Sequence, residues 1–343
     1  VNDYGSILNK LKEGPPRQLN DHILIIDAMN MLIRSFALIK SMNPEGHHTG
    51  GFLGFLRSLG YMTRMFDPTR VIVVWDGKGG SGNRKNIDSN YKAQRATARI
   101  THWGLYDTKE QETEALIGQL YRTQDYLECL PLQQLQMEKL EADDIIAYLA
   151  LKIKAGGKKC TIVSSDKDFL QLVDSNIQVY APVKKKVFTP DNLQEELGVI
   201  PENYNIIKAL TGDKSDNLSG VRGLGIKTIL KEFPAVNTDP FIELDYIYDV
   251  CAKKLEGDKV KKVFINIVEN WDKVETNYQL MNLHETVLDD GEKQYIVEEI
   301  SKPVPPMQTG GFLSMLQHDK VESITKSTES WLENFRGLIG VKK

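Results

Sequence analysis

Three cysteines in 343 residues, Cys129, Cys160 and Cys251, are too few and too widely spaced for a disulfide framework or a zinc site, and they suggest a reducing compartment. No run of about 18 apolar residues occurs, so no membrane span is expected and no membrane partner. The first 19 residues are polar and lack the apolar core of a signal peptide, which makes the cytoplasm the expected location. The six histidines show no ligand spacing, and His47-His48 falls in a Pro/Gly loop where both are expected to be solvated. No internal repeat or low-complexity segment is present. The chain also lacks the positive excess of a typical nucleic-acid binder: its net charge is −4. Distribution matters more than the sum, however. Hydrophobic content of 41% and charged content of 26% are ordinary for a globular chain, which at this length buries one large or two modest domains.

Three short runs share one pattern. His22-Ile23-Leu24-Ile25-Ile26-Asp27, Val71-Ile72-Val73-Val74-Trp75-Asp76-Gly77 and Thr161-Ile162-Val163-Ser164-Ser165-Asp166 are each apolar and end on an acid, with Asp168 close behind the third. Continuous apolar runs fit strands buried on both faces. Residues 176–180 form a fourth candidate strand, and helical patterns separate them, from Asn30 to Ile39 and on to about Phe66. Strands alternating with helices predict an α/β fold with a mostly parallel central sheet flanked by helices. In such sheets ligands sit beyond the carboxyl ends of the strands, so Asp27, Asp76 and Asp166 are expected on one edge.

Glu141-Ala142-Asp143-Asp144 adds three carboxylates at the start of an apolar helix. A helix N-terminus favours one acid by roughly 0.3–1 kcal/mol, but unit charges ~4 Å apart repel by ~4 kcal/mol at an effective dielectric near 20. Each acid singly is explained as a turn residue or N-cap. Together, converging on one edge, they predict a site for hard divalent cations.

Between Gly77 and Ile100 stand six basic residues, Lys78, Arg84, Lys85, Lys92, Arg95 and Arg99, against the single acid Asp88. Lys92, Arg95 and Arg99 are spaced as on one helix face beside Tyr91, which suits a phosphate backbone and a stacked base. A second acidic group, Asp213-Lys214-Ser215-Asp216, follows a helix from about Asn203 to Leu210 and leads into Gly220-Val221-Arg222-Gly223-Leu224-Gly225-Ile226-Lys227-Thr228. Ile226 breaks the P-loop spacing and no buried strand precedes it, so a glycine hairpin between helices that offers N–H groups to phosphate is the better reading. Beyond Pro234 the sequence predicts amphipathic helices, with Trp271 and Tyr278 as core. A Pro-rich break at 303–306 leads to a polar tail, in which Trp331-Leu332-Glu333-Asn334-Phe335 reads either as a partner-docking motif or as a helix packed on its own domain.

These motifs resemble the structure-specific 5′-nuclease family: flap endonucleases, the 5′-nuclease domain of bacterial DNA polymerase I, and free-standing phage relatives such as phage ribonuclease H. The carrying residues are Asp27 with Asn30 and Arg34, Trp75-Asp76-Gly77-Lys78, Tyr91-Lys92 with Arg95, Glu141 to Asp144, Ser165-Asp166-Lys167-Asp168-Phe169, and Gly212 to Asn217 with the glycine hairpin. The length leaves no room for a polymerase, so the free-standing phage type is expected.

The resemblance implies a metal-dependent 5′-nuclease that acts on 5′ flaps, 5′ ends or RNA primers of branched or nicked DNA and of RNA–DNA duplexes, in replication or repair. It implies two Mg²⁺, replaceable by Mn²⁺, held by Asp27, Asp76, Glu141, Asp143, Asp144, Asp166, Asp168, Asp213 and Asp216. Lys92 and Arg95 match the catalytic basic residues at the base of a helical arch. Arg34 and Tyr91 match residues at the substrate's 5′ side; Lys78, Arg84 and Arg99 are further expected DNA contacts. Gly220, Arg222, Gly223, Gly225, Lys227 and Thr228 match a helix–hairpin–helix that grips duplex and holds K⁺. The implied layout is an appendage over residues 1–20, a nuclease core over 21–182 with the arch at about 77–113, a helical DNA-binding region over 183–306, and a tail over 307–343. The expected form is a monomer that meets a sliding clamp or single-strand-binding protein. Taking nine negative charges out of −4 leaves +5, so the rest of the chain is basic. Two competing readings are a PIN-type ribonuclease and a non-catalytic DNA-junction binder.

Overall fold

The computed structural model describes residues 20–93, 99–101, 103–257 and 259–338. Apolar runs form the strands β1 (His22–Asp27), β2 (Arg70–Trp75) and β4 (Lys159–Val163), joined by β3 (Gln133–Gln136), β5 (Ile177–Ala181) and β6 (Lys186–Phe188). The strand order is β3-β2-β1-β4-β5-β6, with every pair parallel except β5 with β6. Side chains alternate between two buried layers, as the pleat requires. Ile23, Ile25, Ile72 and Val74 face Ile145, Ile146 and Leu149 of α5 (Ala142–Ala155). Leu24, Ile26, Val71, Val73 and Trp75 face α1 (Ala28–Leu38) and, through Phe52, Phe55, Leu56 and Leu59, α2 (Gly50–Phe66). β1 lies between β2 and β4, so the connections diverge there and leave a crevice at the carboxyl ends of the strands.

After β2, α3 (Gly82–Ile87) leads toward Lys92, and residues 99–101 and 103–108 precede α4 (Lys109–Glu128). The segment before α4 is pinned. The buried Glu112 carboxylate accepts the N–H groups of Ile100 and Thr101, both at 2.8 Å. His48, expected in solvent, instead hydrogen-bonds the Tyr106 hydroxyl through Nδ1 and the Ile39 carbonyl through Nε2, both at 2.8 Å, with Trp103 edge-on to its ring.

The helical region comprises α6 (Pro190–Leu197), α7 (Tyr204–Thr211), the ribbon β7 (Gly212–Asp213) and β8 (Leu218–Ser219), α8 (Ile226–Glu232), α9 (Leu244–Leu255), α10 (Lys262–Glu269), α11 (Trp271–Met281) and α12 (Asp290–Ser301). Residue 182 is not a boundary in the packing. β6 lies beyond it in the sheet, and Ile206, Ile229, Phe233, Ile247 and Phe264 share one core with Ile25 and Ile72. No helix among the described residues is long and apolar enough to cross a membrane.

The C-terminal segment is no tail. From α13 (Thr309–His318) through α14 (Thr328–Leu332), Phe312, Leu316, Ile324, Trp331, Leu332 and Phe335 enter the core against α2. Trp331 is buried, stacks on Phe312 and donates its indole N–H to the Leu56 carbonyl at 3.0 Å. A Cβ on Gly60 would come within 2.1 Å of the Trp331 Nε1. Glycine-to-alanine in a helix ordinarily gains up to ~1 kcal/mol. Here overpacking reverses the sign, and Gly60→Ala is expected to destabilise by about 1–3 kcal/mol in urea unfolding. A gain would show that this segment leaves α2 easily.

Candidate metal centre and catalytic cleft

Asp27 closes β1 and caps α1, accepting the Asn30 N–H at 3.2 Å, while Ser164 at the end of β4 donates its hydroxyl to the other oxygen at 2.7 Å. Asn30 in turn accepts the Ser165 N–H at 3.2 Å, which locks the ends of β1 and β4 together. Asp76 follows β2 and accepts the Ala142 N–H at the start of α5, at 2.8 Å. The next residue must be glycine, because a Cβ on Gly77 would lie 1.6 Å from the Met137 carbonyl oxygen. Asp143, in the first turn of α5, and Asp166, beyond β4, complete a cleft of about 600 Å³ lined also by Asn30, Arg34, Lys92, Arg99 and Ser165. Four carboxylates from four different strand or helix ends therefore share one crevice.

Negative charge is costly there. Burial first, then Asp76, push the Asp27 carboxyl up to about 7, and burial pushes Asp143 well above the carboxylate range, with Asp166 and Asp27 adding to it and Lys92 opposing. Burial and Asp166 likewise push Asp168 up to about 7, although Lys208 opposes. Among the described residues no three His, Cys, Asp or Glu side chains close on one point as they would around an ion. The chain's own cations stand among the acids instead. Lys92 Nζ binds Glu141 at 2.9 Å, and Lys208 bridges Asp168 and Asp213. Burial alone would raise the Asp213 carboxyl, but Lys208 outweighs it and holds that carboxyl at about 2. The donor set still suits hard dications, being all oxygen, with Asp27, Asp143 and Asp168 penalised as anions by burial and by neighbouring acids. The Ser165 hydroxyl adds a buried oxygen without a partner among the described residues in the same cleft.

Several expected roles change. Arg84 does not face DNA. It is buried, with Nη1 at 2.8 Å from Glu141 and 2.6 Å from Asp144, Nη2 at 3.0 Å from Asp144, and Nε donating to the Leu280 carbonyl at 3.1 Å. Burial opposes its charge, but Asp144 and then Glu141 overcome it and raise its pKa. Asp144 is thus a structural counter-ion with both oxygens committed to Arg84, not an open metal ligand. Tyr91 is no stacking platform either: it is 2% exposed and packs with Leu218, Leu280 and Met281, its hydroxyl aimed at Glu141 and Asp216. Arg99 points into the cleft but donates to the carbonyls of Tyr106 and Asp107, both at 2.8 Å. Gly220 is required by packing, since a Cβ there would lie 2.1 Å from the Thr211 carbonyl oxygen.

Other expectations keep their positions. Arg34 lines the cleft, Lys78, two residues past Asp76, is exposed, and so are Arg222, Gly223, Gly225 and Lys227, with Thr228 half-buried in α8. Gly223 adopts φ +85°, which favours glycine. Arg95 lies outside the described residues. The buried Asp216 joins the two halves of the site: its carbonyl accepts the Lys92 N–H at 2.9 Å, and Asn217 donates to the Asn90 carbonyl at 3.0 Å. Lys208 was not foreseen. A lysine within the otherwise apolar run Ile206-Ile207-Lys208-Ala209-Leu210 was its sequence signal.

Residues 22–198 match the family model described as the 5′-3′ exonuclease, N-terminal resolvase-like domain. The chain belongs to the 5′-3′ exonuclease family. It is 34% identical over 218 residues to a 5′-3′ exonuclease of Aquifex aeolicus, covering 62% of this chain and 70% of that one. A Bacillus subtilis 5′-3′ exonuclease is 33% identical over 221 residues, covering 62% and 69%. The thermostable DNA polymerase I of Thermus filiformis is 32% identical over 219 residues, covering 64% of this chain but only 24% of the polymerase. The fold is that of the bacteriophage T5 flap endonuclease, solved with DNA and metal ions: TM-score 0.61, 18% identity, 87% of this chain and 99% of that one.

The raised carboxyls make a prediction about this family member's stability. A carboxyl whose folded pKa exceeds its unfolded value of 3.8 favours folding fully below that value, and the contribution is lost as pH rises through the folded value of about 7. Metal-free protein is therefore expected to lose thermal stability between pH 5 and pH 8. Added Mg²⁺, which needs the ionised groups, should raise the melting temperature much more at pH 8 than at pH 5. Equal shifts at both values would remove Asp27 and Asp168 from the metal-linked set.

Proposed function

We propose that the chain is a divalent-metal-dependent 5′-nuclease that hydrolyses phosphodiester bonds at 5′ flaps, 5′ ends or RNA primers of branched or nicked duplexes. The observation that supports this most is the meeting of Asp27, Asp76, Asp143 and Asp166 with Lys92 in one cleft at the sheet's switch point. These four would hold one Mg²⁺ or Mn²⁺, and Asp168 with Asp213 would serve a second if Lys208, which bridges them, gives way. When bound, the ions supply an activated water and offset the charge that develops on the phosphate and leaving oxygen.

The protein's own residues do the rest. Ser164 and Asn30 fix the Asp27 carboxylate, and the start of α5 fixes that of Asp76. Lys92 and Arg34 face the same cleft and would draw in the scissile phosphate, Lys92 exchanging Glu141 for it. The exposed hairpin at Arg222–Gly225 would hold the duplex by its backbone, so branched structure and not base sequence would select the substrate.

The test is cleavage of a 5′-labelled flap duplex beside a 5′-tailed RNA–DNA hybrid, with Mg²⁺ and with EDTA. Mg²⁺-dependent cuts near the flap junction are expected, and cutting of the hybrid would add primer removal. Cleavage of RNA alone would favour a ribonuclease. Binding without cleavage in any divalent metal would overturn the proposal.

A further inference from the structure

Beyond the hairpin the chain carries a second basic cluster that neither the cleft nor the hairpin accounts for. Lys253, Lys254, Lys259, Lys261 and Lys262 fall within ten residues around the turn from α9 to α10, and all five are exposed. A solvated surface is the plain explanation for such a run, so its placement decides the matter. Asn266 of α10 donates to the Arg222 carbonyl at 2.9 Å, which seats α10 directly against the hairpin. Lys262 stands one turn earlier on the same helix face, about 6 Å along the axis. Lys261 is anchored to Glu232, the last residue of α8, at 2.7 Å to each carboxylate oxygen. Beneath them Phe233 meets Phe264 edge-on at 6.1 Å, and both are buried. The turn is thus held to the same helix that the hairpin introduces.

The helix dipole accounts for Lys253 and Lys254, which stand in the last turn of α9, but not for the lysines that follow. Lys261 and Lys262 begin α10, where the macrodipole disfavours cations, and its first turn holds no acid. Exposed ammonium groups on a turn that packs beside an exposed hairpin suit a polyanion, even with the exposed Glu256 among them.

We propose that the α9–α10 turn is a second phosphate-contact surface, on which Lys254, Lys259 and Lys262 extend the hairpin's hold along the duplex arm of the substrate. This rests on the 5′-nuclease reading, which supplies the duplex. Phosphate contacts release counterions, and each one contributes about 0.9 to the slope of log K against log salt.

The experiment measures binding of the full chain to a fluorescent flap duplex in EDTA over a series of salt concentrations, for the parent and for the triple variant Lys254→Ala, Lys259→Ala, Lys262→Ala. Lys261 is kept because its loss would strand Glu232. The slope is expected to become shallower by about 2–3 and the affinity at 0.1 M salt to fall about tenfold. In Mg²⁺ the loss should fall on KM rather than kcat. The corresponding triple glutamine variant keeps the side-chain stems and should show the same change of slope. A slope and Kd equal to the parent's in both variants would overturn the surface while leaving the nuclease reading in place. Failure of the parent itself to bind the duplex would overturn the two together.

Discussion

Replacing Arg84 by alanine is expected to destabilise the protein by about 3–5 kcal/mol and to abolish most of its cleavage. The guanidinium fork holds Glu141 and Asp144, both buried, and removing it leaves two carboxylates in a low-dielectric interior with a lost counter-ion. Lys92 still reaches Glu141, but among the described residues only Arg84 forms an ion pair with Asp144. Arg84→Lys should recover only part of the loss, since an ammonium cannot match the paired geometry of the fork. Urea unfolding of the three proteins checks this. A loss below about 1 kcal/mol for the alanine variant would mean that Asp144 finds another partner or takes up a proton.

The second large effect concerns Lys92. Lys92→Ala should lower kcat by about 10²–10³, equivalent to roughly 2.7–4 kcal/mol of barrier, with flap-duplex Kd changed by less than about threefold. The duplex contacts assigned to the hairpin are elsewhere, so binding should survive. Stability should change little as well, because Arg84 and Tyr91 continue to hold Glu141. Equal losses of binding and turnover would remove Lys92 from the chemistry and make it a substrate contact only.

The sheet and its acidic edge were legible because parallel strands buried on both faces must be written as unbroken apolar runs. Asp27, Asp76 and Asp166 stand where those runs stop. β3 escaped this logic: Gln133-Gln134-Leu135-Gln136 is an edge strand whose polar side chains hydrogen-bond neighbouring groups. Arg84 was misread because it sits in the polar stretch Gly82-Asn83-Arg84-Lys85-Asn86. There local sequence carries no sign of burial, and only the distant Glu141, Asp144 and Leu280 create it. Tyr91 failed for the same reason, its apolar partners lying far along the chain. Of the C-terminal segment, Trp331 to Phe335 was legible as a helix packed on its own domain, the second of its two readings, whereas Phe312 and Ile324 are scattered among polar residues and gain periodicity only from the surface of α2.

The hydrogen bond from the Lys92 N–H to the Asp216 carbonyl ties the segment after α3 to the loop that leads into the hairpin. Under the proposed function, the lysine that meets the phosphate and the loop that leads to the duplex grip cannot shift separately. The enzyme then carries a built-in ruler. The number of nucleotides between the double-stranded arm and the cut would be set by the protein's own dimensions, and would stay constant across flaps of different sequence and length.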